Sequence, residues 1–277
     1  GISLYFIIAI ASLASVFLFP DGLYRGNNGI YSSYYLYGHK NDILFNLFPG
    51  LIFAMTYSIK EQTCFSTLIA TTFSLIVFTN VAVLNSATSS LACVMLFIAF
   101  LVARAGRLPR IGGNLLIILV VFIFVFILAG GVQALFSGIF NAVNRDLTFS
   151  ARTFIWDRAI YAINANPIFG YGAEDLNLTQ IRFGGFSTPH NFVLAELFYG
   201  GVVGIVLVAF AIWVCLSKVK KAPKTNELNF LMIALLVLFV MSTMESMGIG
   251  LVKFAAVLAL ISCISNVRKR EPADDIG

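Results

Sequence analysis

Long apolar segments alternate with short polar connections along almost the entire chain. A transmembrane helix needs about 20 apolar residues to cross a hydrocarbon core of about 30 Å, and about eight segments approach that length. The pattern therefore predicts an all-α, polytopic integral membrane protein. The predicted spans are 2–20, 43–59, 64–84, 87–103, 114–136, 191–217, 228–246 and 248–266.

Basic residues indicate the direction of these spans. Lys and Arg concentrate in two connections, 104–110 and 218–224, and again directly after the last span. Counting the spans places all three groups on one side, which the positive-inside rule identifies as cytoplasmic. The loops 21–42 and 137–190 are then expected on the outer side of the membrane.

The composition agrees with a membrane protein. Hydrophobic residues make up 59% of the 277-residue chain and charged residues only 11%, whereas soluble domains carry roughly 25% charged residues. The net charge of +5 does not indicate nucleic acid binding, because the basic residues lie in short clusters between the spans. The four cysteines lie inside apolar segments, which favours packing thiols over a disulfide framework or a metal site.

The chain shows no internal repeat or low-complexity linker, so residues 1–277 are predicted to form a single transmembrane domain. The first apolar run begins at Ile2, directly after Gly1, without the basic region that opens a signal peptide. We therefore expect an N-terminally truncated bundle whose first helices are missing.

The predicted outer loop 137–190 is too long to be only a connection, because structureless loops beyond about 15 residues are uncommon in compact domains. Ser150 is predicted to cap a helix that begins at Ala151, and Pro167 is predicted to end it. One face of this helix is an apolar stripe that is expected to lie on the bundle. The stripe consists of Ile155, Ala159, Ala162 and Ile163.

His190 heads the predicted span 191–217 at its outer boundary. A histidine there is suited to accept a proton near neutral pH. The simpler alternative is an interfacial histidine that only begins a helix. The loop before His190 also carries arginines and carboxylates, and this company favours a functional site.

Arg152, Arg158 and Arg182 are the candidate anion-binding residues of the same loop. A guanidinium binds phosphate oxygens through two parallel hydrogen bonds and stays charged in a medium of low dielectric constant. Arg152 and Arg158 are therefore predicted to bind phosphate. The alternative for all three is ion pairing with acidic residues of the loop, which would only stabilise it.

Three further residues are candidate substrate contacts. His39 and Lys40 lie in the loop 21–42 among several tyrosines, whose rings suit sugar binding but also suit the aromatic belt at a membrane interface. Glu196 lies six residues beyond His190 in the same predicted span. An ionisable residue inside a membrane segment is a functional candidate, because its isolated burial is costly.

The sequence lacks the motifs of several soluble chemistries. It contains no GxGxxG motif after a strand, no phosphate-binding P-loop and no spaced set of metal ligands. The predicted chemistry therefore requires neither a metal nor another cofactor.

Several segments resemble, in the same order, those of the bacterial O-antigen ligase and polymerase superfamily. SARTFIWDRAI, which carries Arg152 and Trp156, resembles the arginine–tryptophan segment of the family, and NPIFGYG (166–172) resembles the segment that follows it. PHNFVLAELFYGGVVG, which starts at Pro189, resembles the family's histidine–asparagine helix start. Upstream, YGHKNDI (37–43) resembles its glycine–x–x–asparagine segment.

The resemblance implies a glycosyltransferase bundle of the GT-C type that acts, without a metal, at the outer face of the bacterial inner membrane. The donor would be a glycan on undecaprenyl diphosphate. His190 would be the catalytic base, Arg152 would hold the diphosphate leaving group and Asn191 would contact the substrate. The expected partners are this lipid-linked oligosaccharide, the lipid bilayer and a regulator of chain length.

The resemblance leaves the choice between polymerase and ligase open. Many members carry an arginine in a serine–arginine pair at the start of an upstream span, whereas Ala87 follows Ser86 here. Arg158, Arg182 and Lys40 are candidates to supply that charge. The departure favours a polymerase of lipid-linked repeat units over a ligase that transfers the glycan to lipid A-core. The rival class is a flippase or transporter of lipid-linked sugars, which would place its polar groups near the bilayer midplane.

Overall fold

The computed structural model describes residues 2–25, 33–109, 112, 114–116, 118–119, 122, 147–219, 225–243 and 250–267. Three very short strands within these ranges are β1 (Tyr24–Arg25), β2 (Ser33–Tyr35) and β3 (Gly38–His39). The helices are α1 (Ile2–Leu18), α2 (Asp42–Glu61), α3 (Cys64–Val83), α4 (Ala87–Arg104), α5 (Leu147–Ala165), α6 (Leu176–Arg182), α7 (Phe192–Val219), α8 (Asn226–Ser242) and α9 (Gly250–Val267).

The described part of the chain is mostly helical and includes four helices that are long and apolar enough to cross a membrane. These are α2, α3, α4 and the segment Phe192–Ser217 of α7. Helices α1 and α8 are apolar but shorter, with 17 residues each. The predicted span 114–136 lies largely outside the described residues, so the number of eight spans remains a prediction.

Helix α2 is the central helix of the bundle. It contacts α1, α3, α4, α8 and α9. Phe45 and Phe48 of α2 are fully buried, as are Phe73 of α3, Phe100 of α4 and Phe230 of α8. Because lipid tails are as apolar as these side chains, close packing rather than transfer out of water is what stabilises such a core.

Polar contacts between helix ends fix the mutual direction of α2, α3 and α4. The Ser86 hydroxyl, directly before α4, donates to Asn41 Oδ1, directly before α2, at 3.1 Å. At the other end of these helices, Arg104 donates to the carbonyl oxygens of Ser58 and Gln62 at 3.1 and 3.2 Å. The starts of α2 and α4 therefore lie at one end of the bundle, which we call the Asn41 end.

Two contacts place α7 and α8 relative to this end. Gly106, which follows α4, lies beside the start of α8, since a Cβ added to it would be 3.8 Å from Asn226 Nδ2. Thr243, which follows α8, accepts a hydrogen bond from the Asn191 side chain at 3.1 Å. Asn191 and His190 therefore lie at the Asn41 end, in agreement with the predicted alternation of the spans.

A small antiparallel sheet, absent from the all-α prediction, occupies part of the loop 21–42. Strand β2 pairs with β1 on one side and β3 on the other, so Tyr34 is opposite both Tyr24 and His39. The ring centroids are 5.2 Å apart for the two tyrosines and 5.7 Å apart for Tyr34 and His39. Gly38, the first residue of β3, takes a φ of +110°, which glycine adopts without the strain of a side chain.

Helix α5 differs from its prediction at the first turn. It begins at Leu147, so Ser150 lies inside the helix and the predicted cap at this residue is wrong. A capping preference is worth only about 1 kcal/mol, and an upstream helical segment outweighs it. The predicted end is confirmed, because α5 stops at Ala165, two residues before Pro167.

Helix α7 is broken at Gly201, whose backbone has a φ of +62° and a ψ of −161°. The break removes helical hydrogen bonds, and the segment 167–172 supplies replacements from its own backbone. The N–H groups of Tyr171 and Gly172 donate to the carbonyl oxygens of Phe198 and Tyr199, both at 2.8 Å.

The same segment also accepts hydrogen bonds from the second half of α7. Val202 N–H donates to Pro167 O at 2.8 Å, and Val203 N–H donates to Ile168 O at 3.1 Å. A Cβ at Gly170 would lie 2.5 Å from Phe198 O, so glycine permits this close approach of two backbones. Unpaired backbone groups cost several kcal/mol each in lipid, which explains why the break and the docked segment occur together.

Replacement of Gly201 by alanine tests this docking. A residue with a side chain costs about 1–2 kcal/mol at a left-handed φ, and the added Cβ would also clash with the carbonyl of Ile168. Gly201→Ala should lower the midpoint of thermal unfolding in detergent by several degrees. Gly200→Ala is the matched control, because a Cβ there meets no atom within 4 Å. Equal effects of the two changes would contradict the docking.

Candidate functional site

Helix α5 packs against the first half of α7 through a second hydrophobic cluster, which we call the α5–α7 cluster. Its buried members are Ile155, Trp156, Ala159, Ala162, Phe183, Leu194 and Phe198. Ile163 is partly buried against them. The predicted apolar stripe of α5 is therefore confirmed, and Trp156 extends it.

Trp156 connects α5 directly to the start of α7. Its indole Nε1–H donates to Pro189 O at 2.9 Å, and the residue is only 6% exposed. Pro189 is the residue before His190, so this bond holds the peptide that leads into the histidine. His190 itself is half-buried, and its ring lies edge-on to Phe186 with the centroids 6.4 Å apart.

Asn191 caps α7. Its Oδ1 accepts from Val193 N at 3.0 Å and from Leu194 N at 3.1 Å, which satisfies two of the unpaired N–H groups at the helix start. Its Nδ2 donates to Thr243 O, and the residue is fully buried. Both side-chain functions of Asn191 are therefore engaged within the protein, so the geometry supports a positioning role, and substrate contact by its side chain stays a prediction.

Arg152 lies on the same face of α5 as Trp156. Residues four apart on a helix stand one above the other, about 6 Å apart along the axis. Because Trp156 bonds to Pro189, Arg152 lies one helical turn along α5 from the residue that contacts the segment of His190. Arg152 is half-buried. The structure thus brings the two predicted catalytic residues to one region.

Arg158 occupies a different position from Arg152. It is exposed, and its guanidinium carbon lies 5.1 Å from the ring centroid of Phe154. Arg158 lies two positions beyond Trp156, which corresponds to about 200° around the helix. Arg158 therefore projects from the face of α5 opposite to Trp156, and the prediction that it binds phosphate alongside Arg152 has less geometric support.

Arg182 forms an ion pair with an acidic residue of the loop, which was the alternative to phosphate binding. Its Nε donates to both carboxylate oxygens of Glu174, at 2.9 and 3.0 Å. Its guanidinium carbon lies 4.1 Å from the ring centroid of Tyr171. The Glu174 side chain is only 9% exposed, so the arginine neutralises a buried carboxylate. Arg182 thereby stabilises the region around the docked segment, and a role in substrate binding stays a prediction.

The remaining predicted contacts lie in two places. Glu196 is half-buried in the first half of α7, between the histidine end and the break at Gly201. His39 is half-buried in the small sheet and Lys40 is exposed beside it, both next to Asn41. His39 and Lys40 thus share the Asn41 end of the bundle with His190 but belong to a separate element.

Two segments of the family resemblance meet directly in the structure. Asn41, from YGHKNDI, accepts the hydrogen bond from Ser86, which precedes Ala87. Ala87 is the exposed first residue of α4, so a side chain at this position begins at the same end of the bundle as His190. Ala87, which replaces the arginine of the family's serine–arginine pair, therefore lies at the same end of the bundle as the candidate site.

Several residues that build this region could not be predicted from the sequence. Thr243 is separated from Asn191 by 52 positions, and its contribution is a backbone carbonyl, which no motif reveals. Trp156 carried a signal, because a buried indole N–H needs an acceptor, but the identity of Pro189 as that acceptor is a tertiary feature. Among the described residues, no group of three or more His, Cys, Asp or Glu is arranged to hold a metal ion.

The described fold and site define a helical membrane protein in which an arginine-bearing helix packs beside a histidine-headed helix. Residues 72–209 match the O-antigen ligase family. This match covers about half of the chain, and the chain belongs to the O-antigen ligase and polymerase superfamily, as its motifs predicted. Comparison with curated proteins and with solved structures found no significant match.

The family match covers the region that carries the proposed chemistry. It contains α4, α5, α6 and the broken part of α7, whereas His39 and Lys40 lie before it. The family indicates a bacterial membrane protein with a role in glycan processing, of the glycosyltransferase type.

Variants of Asn191 test the anchoring of α7. Asn191→Ala removes the cap and the bond to Thr243, and we expect a loss of about 1–2 kcal/mol or more of stability. Asn191→Ser keeps an acceptor for the cap and is too short to reach Thr243, so it should unfold between the wild type and the alanine variant. Thermal unfolding in detergent measures this order, and an alanine variant as stable as the wild type would contradict the anchoring.

Proposed function

We propose that this protein polymerises oligosaccharide repeat units carried on undecaprenyl diphosphate, by inverting glycosyl transfer without a metal. The observation that carries the proposal is the Trp156–Pro189 bond, which joins the helix of Arg152 to the segment of His190. Glycosyl transfer from a diphosphate donor requires a proton acceptor for the attacking hydroxyl and a permanent cation for the leaving group. The products belong to surface polysaccharides such as O-antigen, capsule or exopolysaccharide.

The reaction follows from the two side chains. The His190 imidazole takes the proton from an acceptor sugar hydroxyl as its oxygen attacks the anomeric carbon of the donor. The bond between that carbon and the diphosphate oxygen breaks, and the electron pair leaves with the diphosphate. Arg152 stabilises the negative charge that develops on this leaving group. Attack from the opposite face inverts the anomeric configuration.

The other candidate residues have supporting roles in this proposal. Lys40 and Arg158 are exposed cations that attract the anionic head group. His39 and Glu196 offer hydrogen bonds to sugar hydroxyls near the Asn41 end of the bundle. The bilayer supplies the lipid-linked donor, and a chain-length regulator is the proposed protein partner. The proposed site faces the exterior of the inner membrane, because Arg104 and Arg107 at the opposite end of the bundle mark the cytoplasmic side by the positive-inside rule.

A ligase that transfers the glycan to lipid A-core is the second candidate, because the matching family is described as O-antigen ligase. Ala87, where many members carry arginine, favours the polymerase. A flippase has less support. The break in α7 resembles the discontinuous helices of transporters, but the backbone of residues 167–172 fills it.

An assay with purified protein and a synthetic undecaprenyl-diphosphate repeat unit separates these functions. Chain extension in the presence of a chelator and without nucleotide supports the polymerase. Transfer that occurs only after lipid A-core is added supports the ligase instead. Movement of the lipid across vesicles without any covalent product would overturn both.

Variants of the two proposed catalytic residues should lose activity while remaining folded. General bases typically contribute 10²- to 10⁴-fold, and a charge-stabilising donor contributes about 10²- to 10³-fold. We therefore expect His190→Ala and Arg152→Gln to reduce kcat by at least about a hundredfold. Arg158→Gln should mainly raise KM for the donor. Asp157→Asn, on the exposed side of α5, is the control with near-normal activity.

Cysteine labelling tests the proposed orientation. Lys40 lies at the Asn41 end and Arg107 at the opposite end, and both are exposed. In a variant whose exposed Cys64 and Cys263 are replaced by serine, Lys40→Cys should react with an impermeant maleimide in intact spheroplasts. Arg107→Cys should react only after permeabilisation. The reverse pattern would place the site on the cytoplasmic side.

A further inference from the structure

Trp156 contains a buried polar group that the proposed reaction does not use. Its ring lies in the apolar α5–α7 cluster, whose packing does not require a polar atom at this position. The indole N–H nevertheless donates a hydrogen bond to Pro189 O at 2.9 Å. A buried carbonyl that loses its donor costs about 1–3 kcal/mol, so this bond fixes the Pro189 peptide in place.

The residue that follows this peptide has an unusual backbone. His190 has a φ of +48°, and the other described non-glycine residues with positive φ are Gln62 and Asn85. Gln62 directly follows α2 and Asn85 lies two residues after α3, and left-handed residues are common at such helix ends. His190 precedes a helix instead. A left-handed conformation costs about 1–2 kcal/mol for a residue with a side chain, and it persists where the surroundings fix it.

Both neighbours of His190 are fixed by bonds to other helices. Pro189 is held by Trp156 of α5, and Asn191 is held by the start of α7 and by Thr243 beyond α8. The backbone conformation between these two anchors sets the direction in which the His190 side chain leaves the chain. Release of one anchor allows His190 to relax to a negative φ, which would turn its side chain away from its present position.

We propose that Trp156 is a positioning residue, which sets the direction of the His190 imidazole through its hydrogen bond to Pro189. Since Arg152 stands one turn from Trp156 on α5, the same bond also sets the spacing between Arg152 and His190. The expected loss of activity on removal of this bond rests on the proposed function. The structural consequence, a change in the environment of one imidazole, is independent of the reaction.

Trp156→Phe is the informative variant, because it keeps an aromatic ring in the α5–α7 cluster and removes the N–H donor. Phe183→Leu is the matched control. Phe183 is fully buried in the same cluster, with its ring centroid 4.7 Å from that of Phe198, and it makes no contact through a polar side-chain atom. Both variants lose packing, and only the first loses the bond to Pro189.

The chain contains two histidines, so selective ¹³C labelling of imidazoles yields two NMR signals in detergent micelles. His190→Ala assigns them, and His39 in the small sheet serves as the internal reference. Trp156→Phe should shift or broaden the His190 signal and leave the His39 signal in place. It should also lower kcat about tenfold or more, with KM for the donor changed less than twofold. Phe183→Leu should lower the unfolding temperature while the His190 signal and kcat stay near those of the wild type.

Two results would overturn the inference. One is a Trp156→Phe protein whose His190 signal matches the wild type. The other is a shifted signal with unchanged kcat, provided that His190→Ala is inactive. The proposed function fails by a different observation, namely full activity of His190→Ala. In that case the imidazole signal still reports whether Trp156 positions His190.

Discussion

The need to pair every backbone polar group in lipid is the constraint on which the rest of this structure depends. Helix α7 breaks at Gly201, and the backbone of residues 167–172 occupies the break. This docking fixes the end of α5, because the docked segment follows that helix after Asn166. Helix α5 then lies along the first half of α7, and the α5–α7 cluster forms between them. The proposed site is therefore a consequence of how one broken helix satisfies its hydrogen bonds.

The same arrangement separates the arginines of the outer segment by role. Arg152 shares its face of α5 with Trp156 and lies near the His190 segment. Arg182 neutralises the buried Glu174 and stacks on Tyr171, which is one of the docked residues. Three guanidinium groups that are equivalent in the sequence thus differ in surroundings, and Arg152 is the one on the helix face that bonds to the segment before His190. Many family members have an arginine at the position of Ala87. Neither Arg152 nor Arg182 replaces that second positive charge here, so Lys40 and Arg158 are its proposed sources.

The sequence predicts those features that follow from local chemistry. Apolar runs predicted the helices, because lipid selects long apolar segments, and periodicity predicted the buried stripe of Ile155, Ala159 and Ala162. The Ser150 cap was wrong, because a local preference is weaker than the continuation of a helix. The break at Gly201 was not predicted, since a glycine pair in an apolar segment equally suits close helix packing. Its partner segment lies about 30 residues earlier, and backbone pairing over that distance leaves no side-chain pattern.

The stereochemistry of the bond formed tests the central claim most directly, namely that His190 activates a hydroxyl for single displacement of a diphosphate held by Arg152. The measurement is the anomeric configuration, by NMR, of the new linkage made by purified protein from a lipid diphosphate donor of known configuration in the presence of a chelator. We expect a linkage of inverted configuration. A linkage that retains the configuration of the donor, or a reaction that requires a divalent metal, would contradict it.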